Sequence, residues 1–522
     1  MGMVAPEQRI ASAFAVVFGR YGDVSRYAAQ RDICRQSVYR ESAWVVATLH
    51  GDSWQQQVAD LKQQLRQTQK RLAEVEAQLA QAVVLDRDKQ AEMVCVSQAL
   101  GISLPEVHTL LNVLRPRFKG HVSTLGRWAK AAGEKAGALL AVVDEFTRDQ
   151  IRQAAADEIY VTDPVLMVVE PESLCWASGR MTDAVTGTSW ANEFRQLPAL
   201  EQVTRDGGSS LAKGVATVQA ERARDGQAAL ADQLDHFHTL RGGSQGVRKA
   251  LNRLRSALIE ADDCQAALDR RRRHGQSENG FRHKARDRWA KASQVMDSWQ
   301  ERDTTWQKTK AALQLVTPEG DLNTRARAEA ILAETLPQLP DADFAKPKRM
   351  LQEPETLTYL DEVQRKLAAL PLPEEVRQAA VRQECLRRRP ELLQGETSQA
   401  AALRGLLLVC AVILSKAGDV GQQAVQGVRS IFRNTWRASS LVECINSVLR
   451  MQQARHRKMS QGLLDLKRLY WNCHTFRSGR RRGRTPYELL GVPWPEELRW
   501  WDVLKWSPEQ LRDKLSALKR RE

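Results

Sequence analysis

No run of about 18 apolar residues interrupts this chain of 522. From composition alone, nothing is expected to cross a bilayer. The most apolar stretch, Ala400 to Leu414, is short and is broken by Arg404. No apolar segment follows Met1, so no signal peptide is expected. No Cys-x-x-Cys occurs. The eight cysteines at 34, 95, 175, 264, 385, 410, 444 and 473 are scattered, which argues against a disulfide frame or zinc site and for a reducing compartment. The expected location is cytoplasmic and nucleoid-associated. His236 and His238 flank Phe237 without a third ligand type at metal spacing. Acid is the scarcer charge: 63 Asp and Glu stand against 78 Lys and Arg, giving a net +15 and a pI of about 9.6. Such an excess suits a polyanionic partner, either nucleic acid or an anionic membrane surface. The length implies three or four domains.

Residues 1–50 read as a helix-turn-helix domain. A helix over Arg9 to Arg20 precedes a short one around Ser25–Arg31, a tight turn at Asp32–Cys34 and a second helix from Arg35. Arg35, Gln36, Ser37 and Arg40 fall on the exposed face of that second helix, where they can reach bases and phosphates. Residues 54–88 carry apolar positions in steps of three and four (Val58, Leu61, Leu65, Thr68, Leu72, Val75, Leu79, Ala82). About four heptads of this kind predict a coiled coil and a homodimer. Residues 89–145 read as a second helical DNA-binding unit, with helices at Met93–Leu100, Leu104–Leu114 and from His121. Arg127 lies on the basic, aromatic face of the last.

From 150 the pattern changes. Ile159–Val161, Val165–Val169, Leu174–Ala177 and Leu200–Thr204 are short, often β-branched segments between turns, and predict four strands. Helices are expected at Trp190–Leu197 and Leu211–Ala220, completing an α/β layer over 150–220. Residues 221–430 look almost entirely helical, with loops at Gly242-Gly243, Gly275–Gly280, Pro318–Asp321 and Pro337–Pro347. Trp289, Trp299 and Trp306 read as core. The basic run Arg270–Arg273 reads as a solvated face that could touch phosphate.

Phosphodiester cleavage by two metals needs carboxylates converging from different elements around cations about 3.5–4 Å apart. Three acids suit this chemistry: Asp157 on the first strand, Asp206 just past the fourth, and Glu443, which interrupts the apolar face of Leu441, Val442, Ile445 and Val448. Glu158 and Asp163 compete with Asp157. Asp232 and Asp235 compete with Asp206 but are expected on a helix.

The segments Asp157-Glu-Ile-Tyr, Arg205-Asp206-Gly-Gly, Leu234-Asp-His-Phe-His238 and Ser439-Ser-Leu-Val-Glu443-Cys-Ile-Asn446 together resemble the RNase H-like core of bacterial insertion-sequence DDE transposases. The resemblance covers about 150–240 and 430–492. It implies Asp157, Asp206 and Glu443 as catalytic metal ligands for two Mg²⁺, with Mn²⁺ as a substitute. It also implies a large all-α insertion between Asp206 and Glu443, which agrees with the composition. The fold expected is therefore multidomain α plus α/β: helix-turn-helix domains, a coiled coil, and an RNase H-like core (150–220 and 431–475) interrupted by a helical insertion. A basic tail over 476–522 closes the chain. Double-stranded DNA is the expected partner, bound also by Arg450, Arg455, His456, Arg457, Lys458, Arg480, Arg481, Arg482 and Arg484. The alternative is a non-catalytic DNA-binding repressor derived from a transposase.

Overall fold

The computed structural model describes residues 4–81, 85–115, 118–161, 163–393, 397–453, 459–495 and 499–520. They form two compact units, Met1–Asp86 and Arg87–Glu522.

The first unit has three helices: α1 (Pro6–Val17), α2 (Asp23–Gln30) and α3 (Arg35–Gln81). Gly22 (φ 94) turns the chain into α2, and Asp32 (φ 53) turns it into α3. Asp tolerates this left-handed conformation because its short side chain bonds locally. The core is small: Ala13, Ala28, Val38 and Val45 are buried, and Arg31 pairs with Glu41 at 2.5 Å. One boundary differs from expectation. The second helix of the helix-turn-helix and the heptad segment are a single 47-residue helix. Gly51 does not divide them, because one glycine costs a helix only about 1 kcal/mol. The heptad residues Leu61, Leu65, Leu72 and Val75 are 51–63 % exposed. The side chain of Leu79 and all of Ala82 lie outside the described residues.

The second unit opens with α4 (Arg87–Ala99), α5 (Leu104–Leu114) and α6 (Val122–Thr147). Ser103 and Glu106 cap α5 reciprocally. The sheet follows: β1 (Gln153–Tyr160), β2 (Pro164–Glu170), β3 (Cys175–Met181), α7 (Gly187–Arg195), β4 (Gln202–Arg205), α8 (Ser209–Arg224) and β5 (Ala231–Leu234). Its order is β3-β2-β1-β4-β5. The first three strands are antiparallel neighbours, and β4 and β5 run parallel to β1. β1 starts earlier than expected, at an alanine run with weak strand preference. Ala154, Ala155 and Ala156 are at most 1 % exposed, and burial on both faces overrides that preference. The fifth strand was not expected, since Ala-Asp-Gln-Leu carries no β-branched residue.

Among the described residues, eight α-helices then separate the sheet from its last covering helix: α9 (His236–Arg273), α10 (Asn279–Ala312), α11 (Arg325–Thr335), α12 (Asp341–Gln352), α13 (Thr358–Ala368), α14 (Glu374–Arg387), α15 (Ser398–Lys416) and α16 (Gly418–Arg433). The expected loop at Gly242-Gly243 is instead inside α9. These glycines serve close packing: a Cβ on Gly243 would lie 2.1 Å from the Trp306 ring. Pro347 likewise lies inside α12. Trp306 is buried beside Phe344, Trp299 is half-buried, and Trp289 is 42 % exposed, so the tryptophans are not uniformly core. By length and composition α15 is apolar enough to cross a membrane, with 22 % of it buried. Arg404 lies inside this helix, which runs unbroken through the residue that interrupts the apolar run.

The chain closes with α17 (Ser440–Gln453), α18 (Gln461–Cys473), α19 (Pro486–Leu490), α20 (Trp500–Val503) and α21 (Pro508–Lys519). Two expected modules merge here. The helices of 89–145 share one core with 476–522, through Leu139, Val143, Leu469, Tyr487, Trp501 and Leu511. A Cβ on Gly133 would lie 2.5 Å from the Gly462 carbonyl oxygen, so α6 and α18 touch backbone to backbone. The described residues of 476–522 are thus folded rather than a tail. Its arginines dominate the local charge, but its buried aromatic and aliphatic residues decide the structure.

Candidate active site

Alternation along β1 sends neighbouring side chains to opposite faces of the sheet. Ala155 and Ile159 pack with Val442, Ile445 and Leu449 of α17, whereas Ala154 and Ala156 pack with the α7 and α8 side. Asp157 therefore faces α17. The last paired residues of the parallel strands β1 and β4 are Ala156 and Arg205. Asp157 and Asp206 are the next residue on each, at the carboxyl ends where α/β sheets place ligands.

Glu443 lies in the first turn of α17 and Asn446 one turn later. The Asn446 amide donates to Asp157 Oδ2 at 2.8 Å. Arg450 Nη1 donates to Glu443 Oε2 at 2.7 Å, and His238 Nε2 stands 3.7 Å from Glu443 Oε1. His238 is itself held by Asp235, whose Oδ2 lies 2.5 Å from its Nδ1. Asp235 caps α9 by accepting from the backbone N–H of Phe237, and accepts from the N–H and hydroxyl of Ser439. One buried carboxylate thus ties the start of α9 to the segment leading into α17.

These groups respond to one another. Burial pushes the Asp157 carboxyl up to about 7, and the negative charges of Asp206, Glu443 and Glu158 add to the rise. Burial also raises Glu158, with Asp206 contributing. The hydrogen bond that His238 donates to Asp235 raises His238, as do the charges of Asp235, Asp157 and Glu443. Burial alone would raise Asp235, but hydrogen bonds from His238 and the Phe237 N–H hold it below the usual carboxylate range.

The competing acids differ in what each already does. Asp232 lies on β5, not on a helix, and pairs with Arg205 through both carboxylate oxygens at 2.7 Å. Asp235 is consumed by its cap and its histidine. Asp206 Oδ1 accepts from the Gly208 N–H at 2.8 Å. Asp163 lies at the β1–β2 turn. Glu158 is on the opposite face from Asp157 yet beside Asp206, and its Oε2 is buried without a hydrogen-bond donor, as is Asn446 Oδ1.

An all-oxygen donor set with surplus negative charge and two unsatisfied buried oxygens suits a hard divalent cation. As the side chains stand, no three His, Cys, Asp or Glu among the described residues are gathered closely enough to hold one metal ion. Glu443 is engaged by Arg450, and one Asp157 oxygen by Asn446.

The other expected site residues fall into four groups. Arg35, Gln36 and Arg40 are exposed at the start of α3, while the Ser37 hydroxyl lies 3.2 Å from Cys34 Sγ. Arg127 is exposed on α6 and donates to Thr124. In the C-terminal cluster Arg481 donates to the carbonyls of Pro171 and Glu172, Arg484 to that of Glu488, and Arg480 lies over the Trp436 ring at 5.1 Å. Arg482 is exposed at the rim of a cavity with Tyr470, His474 and Trp500. Arg455, His456, Arg457 and Lys458 lie outside the described residues. Sequence reasoning weighed Asp235 only as a competitor of Asp206 and set His238 aside for want of a third ligand at metal spacing, so it did not read the two as a pair beside Glu443. Their signal was an acid followed three residues later by a histidine, directly after a short strand.

No family model matches this chain, and no curated protein matches it.

Proposed function

We propose that this chain is a DDE transposase with an RNase H-like core, which binds the ends of an insertion sequence and cleaves and joins DNA strands. One observation carries the reading: Asp157, Asp206 and Glu443, remote in sequence, are close enough to couple electrostatically at the carboxyl ends of two parallel strands. With Asn446 Oδ1 and Glu158 nearby, these acids would hold Mg²⁺ or Mn²⁺, which when bound activates the attacking oxygen and stabilises the leaving one.

The chain's own groups have separate tasks. Asn446 orients Asp157. His238, kept in place by Asp235, offsets the negative charge on Glu443 and Asp157. Arg450 neutralises Glu443 and is positioned to take a phosphate oxygen when Glu443 exchanges partners. The exposed residues at the start of α3 read bases, and the exposed heptad leucines pair two copies, as two DNA ends require. The runner-up, a repressor that kept the fold, draws on the Glu443–Arg450 ion pair, which occupies one oxygen of that carboxylate.

The deciding experiment is nicking of a plasmid bearing the element's ends, with and without Mg²⁺. The transposase reading expects metal-dependent nicking that Glu443→Gln abolishes while DNA binding persists. Near-wild-type nicking by Glu443→Gln would sink the assignment of that residue.

A further inference from the structure

The α9–α10 pair forms a long hairpin whose charge is concentrated at its far end. Between Arg270 and Lys291 the sequence holds nine Lys or Arg against two acids, Glu278 and Asp287, so this stretch carries +7 of the chain's +15. Both acids are already engaged: Glu278 by Arg272 and Arg282, at 3.3 and 3.0 Å, and Asp287 by Arg286 at 3.7 Å. The surplus faces solvent, with Arg270, Arg273, Lys284 and Lys291 exposed. Aromatics lie among the bases. Arg271 stacks over Phe281 at 3.9 Å, and Trp289 is 42 % exposed.

The next stretch along α9 has the opposite sign. Ser256 to Asp269 holds four acids and no base. The tip is therefore a discrete patch and not one end of a basic stripe. The hairpin is also stiff. Ala257, Ala261 and Ala292 close its stem with Val295. Arg253 braces its root against Asp343 at 2.7 Å. The same helix begins in the candidate active site, at Asp235 and His238. At 1.5 Å per residue, Arg270 lies roughly 48 Å along the axis from His238.

We propose that this tip is a second, sequence-independent DNA contact that grips the backbone roughly 14 base pairs from the scissile phosphate, taking 3.4 Å per pair. This deepens the transposase reading and rests on it for the identity of the polymer. Double-stranded DNA fits better than a lipid surface because the tip has no exposed aliphatic side chain to insert, while its bases and aromatics match phosphate and sugar.

The test uses the full-length protein and a quadruple variant, Arg270→Ala, Arg273→Ala, Lys284→Ala and Lys291→Ala, all at exposed positions. Binding to random-sequence duplexes of about 10 and about 30 base pairs is measured across a salt series. The wild type should gain affinity on the longer duplex well beyond the gain in site number, and the variant should lose that gain, at least about tenfold. Its salt slope should fall by about one for each lost contact. Equal affinity and slope for the two proteins overturns the proposal, as does a wild type indifferent to duplex length. Loss of binding to phosphatidylserine-containing vesicles with DNA binding intact would assign the tip to membrane instead. Magnesium-dependent nicking is scored separately. A length-dependent tip effect without nicking keeps this contact and rejects the enzyme; nicking without the tip effect does the reverse.

Discussion

Asp157 shows how one buried acid links stability to chemistry. Folding raises its carboxyl from 3.8 to about 7. The folded state therefore binds more protons than the unfolded chain across that interval, and stability attributable to this group falls as pH rises through it. Asp157→Asn removes the repulsion and can still accept from Asn446 through its amide oxygen. In metal-free protein at about pH 8 it should raise stability by roughly 1–3 kcal/mol, read as a higher Tm, while abolishing cleavage. A lower Tm would mean that Asp206 and Glu443 do not crowd this carboxyl. The buried pair Arg205–Asp232 should behave in the opposite way. Asp232→Asn leaves a buried guanidinium without its counter-ion and should destabilise by roughly 3–5 kcal/mol, seen in urea denaturation.

At the scale of elements, α3 presents an apolar stripe that none of the described residues of its own unit covers. Leu65 and Leu72 are more than half exposed, and a pair of such helices buries both stripes at once. Replacing both with Lys should give monomers by light scattering that still bind one DNA end. An unchanged mass would place the dimer contact elsewhere. The stripe was legible because heptad periodicity is local. The interior glycines of α9 were not legible, because the reason for them is Trp306, far along the chain. Gly-Gly ordinarily signals a loop; here it lets an indole approach the helix backbone.

For the whole molecule, the two units divide the proposed DNA contacts. Arg40, exposed at the head of α3, is expected to read a base. Arg40→Ala should cost roughly 1–3 kcal/mol on the element's ends and relax preference at one position. Arg482, exposed on the second unit, is expected to touch backbone, so Arg482→Ala should weaken all sequences alike and flatten the salt dependence by about one unit. Binding to terminal and scrambled DNA over a salt series separates the two. If Arg482→Ala abolished discrimination, the reader would not be the N-terminal unit.

The choice of three acids came from the resemblance, whereas local pattern alone determined the N-terminal helices, the heptads, the first four strands and the long helical stretch. Each rests on period, turn residues or charge within a few tens of residues. Tertiary structure decided the rest. It moved Asp232 to a strand and paired it with Arg205, spent Asp235 on a helix cap, and placed His238 beside Glu443. It also turned the expected basic tail into part of a core shared with α4 and α6. The physical reason is common to these cases: burial and charge pairing are set by partners on other elements, from Arg205 against Asp232, 27 positions apart, to Asp235 against Ser439, 204 apart, which no local period reports.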